Sequence, residues 1–226
     1  MGNQEQLHAL IADLGAENAE TQEAAVEALV KHGAEAVDLL IMAVNDGDAR
    51  ICANAAEALG MIGDKRALGP LIIALQDSDN HVVLTAINAL RRIGDPVAVQ
   101  PLINFLSKDE IYLHFHATHA LAQIKHPQTV SALLKELERD DPNVKHGCIV
   151  ALGRLGDRSA IKPLVKLLNA PEEKIRYSAS YALGDLAAPE DTDVIAALRP
   201  LLEDHDPNVR DATQEALGKL LPDHGS

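Results

Sequence analysis

The chain has 226 residues, 47% of them hydrophobic but only 2% aromatic, with no tryptophan, so any core must be built from Ala, Leu, Ile and Val. A formal net charge of -14 excludes a surface made to follow a phosphate backbone or an anionic membrane, since both need clustered Lys and Arg. No apolar run approaches the roughly 20 residues of a membrane-spanning helix, and the acidic N-terminal stretch lacks the regions of a secretory signal, so a soluble, cytoplasmic protein is expected.

Seven Ala-Leu pairs punctuate the chain, at Leu29, Leu59, Leu90, Leu121, Leu152, Leu183 and Leu217. A period of about thirty residues marks an all-α solenoid of stacked helical hairpins in which each repeat touches only its neighbours. Residues 1–33 read as an N-terminal capping repeat, because the first repeat ends His32-Gly33-Ala34 without the Gly-Asp pair found later. Residues 34–186 are the regular repeats, and residues 187–226 form a C-terminal repeat preceded by a loop insertion at Ala187-Ala188-Pro189-Glu190-Asp191-Thr192. One continuous domain, 1–226, is expected. Between the regular repeats the pairs Gly63-Asp64, Gly94-Asp95 and Gly156-Asp157 recur. Each glycine can take the left-handed conformation that ends a helix, and each aspartate can cap the next one. The Asp141-Pro142 turn splits its hairpin in two, with Asp capping the second helix and Pro in its first turn. Glycines in this chain are therefore assigned to helix ends. Cys52 and Cys148, three repeats apart, are too distant to pair, and Cys148 takes a position that elsewhere holds Ala, which makes it a buried thiol.

The second helix of each repeat has two faces. Counting from its Leu, positions -8, -4, -1, 0 and +3 are apolar or small, as in Val144, Cys148, Ala151, Leu152 and Leu155, and form the buried stripe. Positions -9, -6, -2 and +2 share another face. Along four repeats they read His81, Leu84, Asn88 and Arg92; Tyr112, Phe115, His119 and Gln123; Asn143, His146, Val150 and Arg154; Lys174, Tyr177, Tyr181 and Asp185. Four of the five aromatic residues fall on this register, and Phe105, on a first helix, reads as core. Exposed rings are costly unless covered, and Tyr and Arg are common interface anchors. The expected partner-binding face is therefore His81, Leu84, Asn88, Arg92, Tyr112, Phe115, His119, Gln123, His146, Val150, Arg154, Tyr177, Tyr181 and Asp185, and the expected partner is a protein or peptide.

Glu57-Ala58-Leu59-Gly60-Met61-Ile62-Gly63-Asp64-Lys65-Arg66-Ala67 and Asp206-Pro207-Asn208-Val209-Arg210 resemble the short HEAT-like repeats named after phycobilisome lyases. The resemblance implies that second helices line the inner, concave side of the stack, so that the expected partner-binding face is a concave groove. It departs at the Arg that follows Val in the turn, which is kept at Arg176 and Arg210 but is Lys145, Cys52, Val83 and His114 elsewhere. Those losses put inter-repeat ion pairs at these turns in doubt. The resemblance also supplies an alternative function, a bilin lyase-like protein in which the same rings grip a tetrapyrrole and Arg92 and Arg154 meet its propionates.

Catalytic signatures are missing from the sequence. His116 and His119 sit three apart, but no carboxylate at helical spacing completes a metal shell, and there is no His-Glu pair, Gly-x-Ser-x-Gly elbow or phosphate loop. The sequence favours a monomeric, non-catalytic scaffold without metal or cofactor, a bilin entering only under the alternative.

Overall fold

The computed structural model describes residues 2–108 and 110–221, so the final five residues of the expected C-terminal repeat lie outside the description. Among the described residues there are fourteen α-helices and no strands. They are α1 (Asn3–Asp13), α2 (Ala19–His32), α3 (Val37–Ala43), α4 (Ala49–Ile62), α5 (Leu68–Ala74), α6 (Asn80–Ile93), α7 (Val99–Phe105), α8 (Ile111–Gln123), α9 (Pro127–Glu136), α10 (Pro142–Leu155), α11 (Ile161–Leu167), α12 (Glu173–Leu186), α13 (Thr192–Leu198) and α14 (Pro207–Leu220). This is the expected α-solenoid. Contacts gather the chain into two compact units, residues 1–105 with 110–124, and residues 106–109 with 125–226.

The punctuation works as the residues dictate. Gly63, Gly94 and Gly156 have φ of 75°, 68° and 75°, the left-handed geometry that ends α4, α6 and α10. Asp64, Asp95 and Asp157 then accept from the N–H two residues on and start a single 3-10 turn that leads into each short first helix. Asp48, Asp79, Asp141 and Asp206 cap α4, α6, α10 and α14 in the same way. Each such cap contributes about 1 kcal/mol. The fourth repeat lacks both devices, since Glu110 offers α8 no side-chain cap and Ile124 ends it without a glycine.

In the first unit, α2, α4, α6 and α8 pack side by side in sequence order, each backed by the first helix of its own hairpin; α10, α12 and α14 do the same in the second. Val144, Cys148, Ala151 and Leu152 are buried, whereas Leu155 is half-exposed at the end of its helix. Phe105 is core.

One assignment needs correction. Gly60, Gly153 and Gly184 lie inside helices, each directly after the repeat's Leu, and serve the contact between neighbouring second helices. A Cβ on Gly60 would sit 2.6 Å from the Cα of Ala89, and one on Gly184 would sit 2.7 Å from the Cα of Ala216. Gly153 faces Ala182 at 3.0 Å. Position +1 of one helix thus meets position -1 of the next, close enough for backbones to touch. In the third repeat Arg91 holds that place, and its Nε is buried without a hydrogen-bond partner.

At the turn, the two retained arginines and Cys52 show what that position does. Arg176 Nη1 donates to the carbonyl of Ala170, and its Nε and Nη2 clasp the Asp204 carboxylate at 2.7 and 2.8 Å, tying one repeat to the next. Arg210 Nη1 makes the same turn-closing bond to the carbonyl of Asp204. Cys52 keeps this bond with a thiol, its Sγ lying 3.0 Å from the carbonyl oxygen of Asp46, but forgoes the ion pair. The inserted loop before α13 is held by Arg158, which donates to both oxygens of Asp191 at 2.8 Å.

Both cysteines are free and buried. Burial pushes the Cys148 thiol up to about 12 and raises that of Cys52, where Asp77 and Asp46 add to the effect. Because the thiolate is the reactive species, neither should react with Ellman's reagent at pH 8 in the native protein, and both should react at once in denaturant. Rapid native labelling of either would contradict this burial.

Candidate functional site

All fourteen residues expected on the binding face lie outside the core; nine are exposed, and Leu84, Asn88, His119, His146 and Val150 are half-buried. The rings are the most telling. Tyr112 is 69% exposed, Phe115 59%, Tyr181 41% and Tyr177 38%. None of the four is sealed into a hydrophobic layer, although each is large enough to anchor one.

In the first unit the rings cluster on α8. Phe115 stacks on His119 with centroids 6.4 Å apart and planes 7° from parallel, while His116 meets Tyr112 edge-on at 5.0 Å and Phe115 at 5.6 Å. On α6, His81, Leu84, Asn88 and Arg92 line one open depression of about 350 Å³, together with Glu57 and Arg91. A second depression of about 310 Å³ lies between α2 and α4, lined by Glu23, Val26, Glu27, Asn54, Glu57 and Met61 among others. Glu57 borders both. Reading the register over four repeats left out Glu23, Glu27, Glu57 and Met61, which occupy the same -6, -2 and +2 positions in the first two. Extending it by two repeats would have found them.

In the second unit the face is joined across repeats by polar contacts. Lys174 Nζ donates to Asn143 Oδ1 at 3.1 Å. Ser178 Oγ donates to the carbonyl of Lys174 at 2.6 Å and lies 2.6 Å from His146 Nδ1. A hydroxyl has one proton, and that proton is committed to the carbonyl, so His146 Nδ1 must be the donor in its pair. Tyr177 and Tyr181 lie 6.5 Å apart, and Lys219 Nζ sits 4.7 Å over the Tyr181 ring. The same ammonium bonds Asp185 at 2.8 Å and Glu215 at 2.9 Å. These two carboxylates, Asp185 first, raise the Lys219 pKa and keep it charged. Lys219 and Glu215 were likewise missed by stopping the register one repeat early. Val150 and Arg154 complete this face, half-buried and exposed respectively.

Among the described residues no group of three or more His, Cys, Asp or Glu side chains is placed to hold a metal ion, and no helix is long and apolar enough to cross a membrane. What the two faces offer is ring surface, hydrogen-bonding groups and fixed charge.

The sequence matches a model of HEAT repeats over residues 38–113, 99–184 and 161–224. No curated protein matches it significantly. Among solved structures, Kap95p bound to RanGDP is 14% identical, covers 98% of this chain and 36% of its own, and has a TM-score of 0.68. Importin beta is 17% identical, with 95% and 35% covered and a TM-score of 0.67. The chain thus spans about a third of either. The CpcE and CpcF complex of phycocyanin lyase from Nostoc sp. PCC7120 is 23% identical, with 95% and 94% covered and a TM-score of 0.49.

Proposed function

The chain belongs to the HEAT-repeat family, and on that premise we propose that it is a non-catalytic interaction module that binds a protein or peptide on the outward register of its second helices. The observation that carries this reading is the exposure of Tyr112, Phe115, Tyr177 and Tyr181. A chain that holds only five aromatic residues leaves four of them open to water, on one register, while filling its core with Leu, Ile, Val and Ala. Aromatic side chains supply large rigid contact area at low entropic cost, which suits recognition better than it suits a solvated helix face.

Phe115→Ala with Tyr177→Ala tests the reading. Pull-down from the native host with the wild-type chain should yield a partner that the double variant fails to retain, with affinity at least about a hundredfold lower, the cost expected for two anchors at about 1.5–2 kcal/mol each. The melting temperature should stay unchanged, because both rings are exposed. Equal retention of the partner by the double variant, or a large fall in stability, would contradict the reading.

A further inference from the structure

The faces of α2, α4, α6 and α8 differ sharply in chemistry, and the order of that change points to a particular occupant. Glu20, Glu23 and Glu27 stand exposed on α2 and Glu57 on α4. Of the cations on this register, Lys31 on α2 lies 4.0 Å from Glu27 and Arg50 on α4 pairs with Asp48 at 3.0 Å, whereas Arg92 on α6 lines the next depression. Negative charge therefore dominates the first depression. Its exposed apolar member, the 44%-exposed Met61, suits the methylene stems of long basic side chains, which lie along apolar surface while their charged ends reach carboxylates. The next depression contains Asn88 and Arg91. An amide side chain can both donate to and accept from a peptide unit. Beyond it lie the exposed rings of Tyr112 and Phe115 on α8.

We propose that this face holds an extended segment of a partner polypeptide, with Lys or Arg side chains over Glu23, Glu27 and Glu57 and an aromatic or large aliphatic side chain on Tyr112 and Phe115. The assignment rests on the interaction-module reading and adds the chemistry of the ligand. Neighbouring helices lie about 10 Å apart and an extended chain advances about 3.3 Å per residue, so each repeat spans about three residues of ligand. From the depression between α2 and α4 to α8 is about two and a half such steps, which separates the basic and aromatic positions by about seven residues. Acidic segments are repelled from the same surface.

Fluorescein-labelled synthetic peptides, titrated by anisotropy against the full chain, test this directly. The peptides carry a Lys-Arg pair and a Trp joined by about two, six or ten Ser/Gly residues, in both chain orders, to bracket the expected spacing. The intermediate spacing should bind best in one order, by about fivefold or more, and replacing Lys-Arg by Glu-Glu should abolish binding. Glu23→Lys with Glu57→Lys, and separately Phe115→Ala, should each weaken it by about tenfold or more at unchanged melting temperature, and only the wild type and Phe115→Ala should lose affinity steeply with salt. Binding no tighter than that of an all-Ser/Gly peptide, or binding indifferent to the Glu→Lys pair, overturns the proposal. The two readings separate on a recovered host partner. If it is lost with Phe115→Ala plus Tyr177→Ala but retained with the Glu→Lys pair, the module reading stands and the basic-segment assignment falls; if neither variant releases it, both fall.

Discussion

Gly184→Ala is expected to destabilise the protein even though alanine is the better helix former. In an unencumbered helix the change gains about 1 kcal/mol. Here the new methyl would lie 2.7 Å from the Cα of Ala216 and 2.8 Å from its Cβ, a clash with backbone that only separation of α12 from α14 can relieve. Overpacking of this kind costs about 1–3 kcal/mol, and a contact with main chain belongs at the upper end. A net loss of about 1–2 kcal/mol follows, which lowers the melting temperature by about 2–8 °C for a chain of this size. Gly60→Ala, at 2.6 Å from the Cα of Ala89, should behave alike, and valine at either site should be worse. Gly218 supplies the internal control. It ends the same Ala-Leu-Gly triplet in the last repeat, but a Cβ there meets nothing within 4 Å, so Gly218→Ala should raise stability by up to about 1 kcal/mol. Thermal melts of the three variants decide the matter, and equal signs for Gly184 and Gly218 would refute the contact.

Arg176→Ala should cost about 2 kcal/mol, between the value of an exposed ion pair and that of a buried one. The side chains of Arg176 and Asp204 are only 15% and 10% exposed, and loss of the guanidinium leaves a desolvated carboxylate along with two turn carbonyls deprived of their donor. The pH dependence identifies the pair. The Arg176 guanidinium, hydrogen-bonded to Asp204, holds that carboxyl down at about 2, whereas an unfolded Asp titrates near ~3.9. A depressed folded pKa contributes stability that is complete above the unfolded value and disappears as pH falls through the folded one. The stability gap between wild type and Arg176→Ala should therefore be constant near neutrality and narrow between about pH 4 and pH 2. Denaturant unfolding at several pH values reads this out, and a gap that does not change over that interval would assign the loss to packing alone.

The parts of this fold that could be read from the sequence are those fixed by residues close together in the chain. An aspartate caps the N–H two residues on, and a glycine ends the helix it follows, so Asp64, Asp95, Asp157, Gly63, Gly94 and Gly156 could be assigned one by one. The outward register was legible for a similar reason, since helical spacing alone sets which side chains share a face. Gly60, Gly153 and Gly184 were misassigned because their cause lies about thirty residues away, in the alanine of the next second helix. The role of Cys52 was hidden too. By size it is an apolar replacement for Arg, yet its thiol keeps the bond that closes the turn. At the face itself, the register located the rings but said nothing of how His116 bridges Tyr112 and Phe115, or how Lys219 joins Tyr181 to Asp185 and Glu215. Those arrangements depend on rotamers and on neighbouring helices rather than on spacing.

In the first unit the positions that hold the stack together are largely distinct from those that face solvent, whereas in the second unit His146, Lys174 and Asp185 also join one repeat to the next. Caps, turn glycines, the Leu anchors and the Gly–Ala steps fix how one hairpin sits on the next, while none of the fourteen residues of the expected face is buried. If that face is the binding surface proposed above, exposed positions such as Tyr112 and Phe115 can change while the caps, turn glycines and Leu anchors keep the chain folded. Under the proposed reading, a new repeat spliced in at a Gly-Asp boundary would extend the recognised segment by about three residues and leave the existing repeats unchanged.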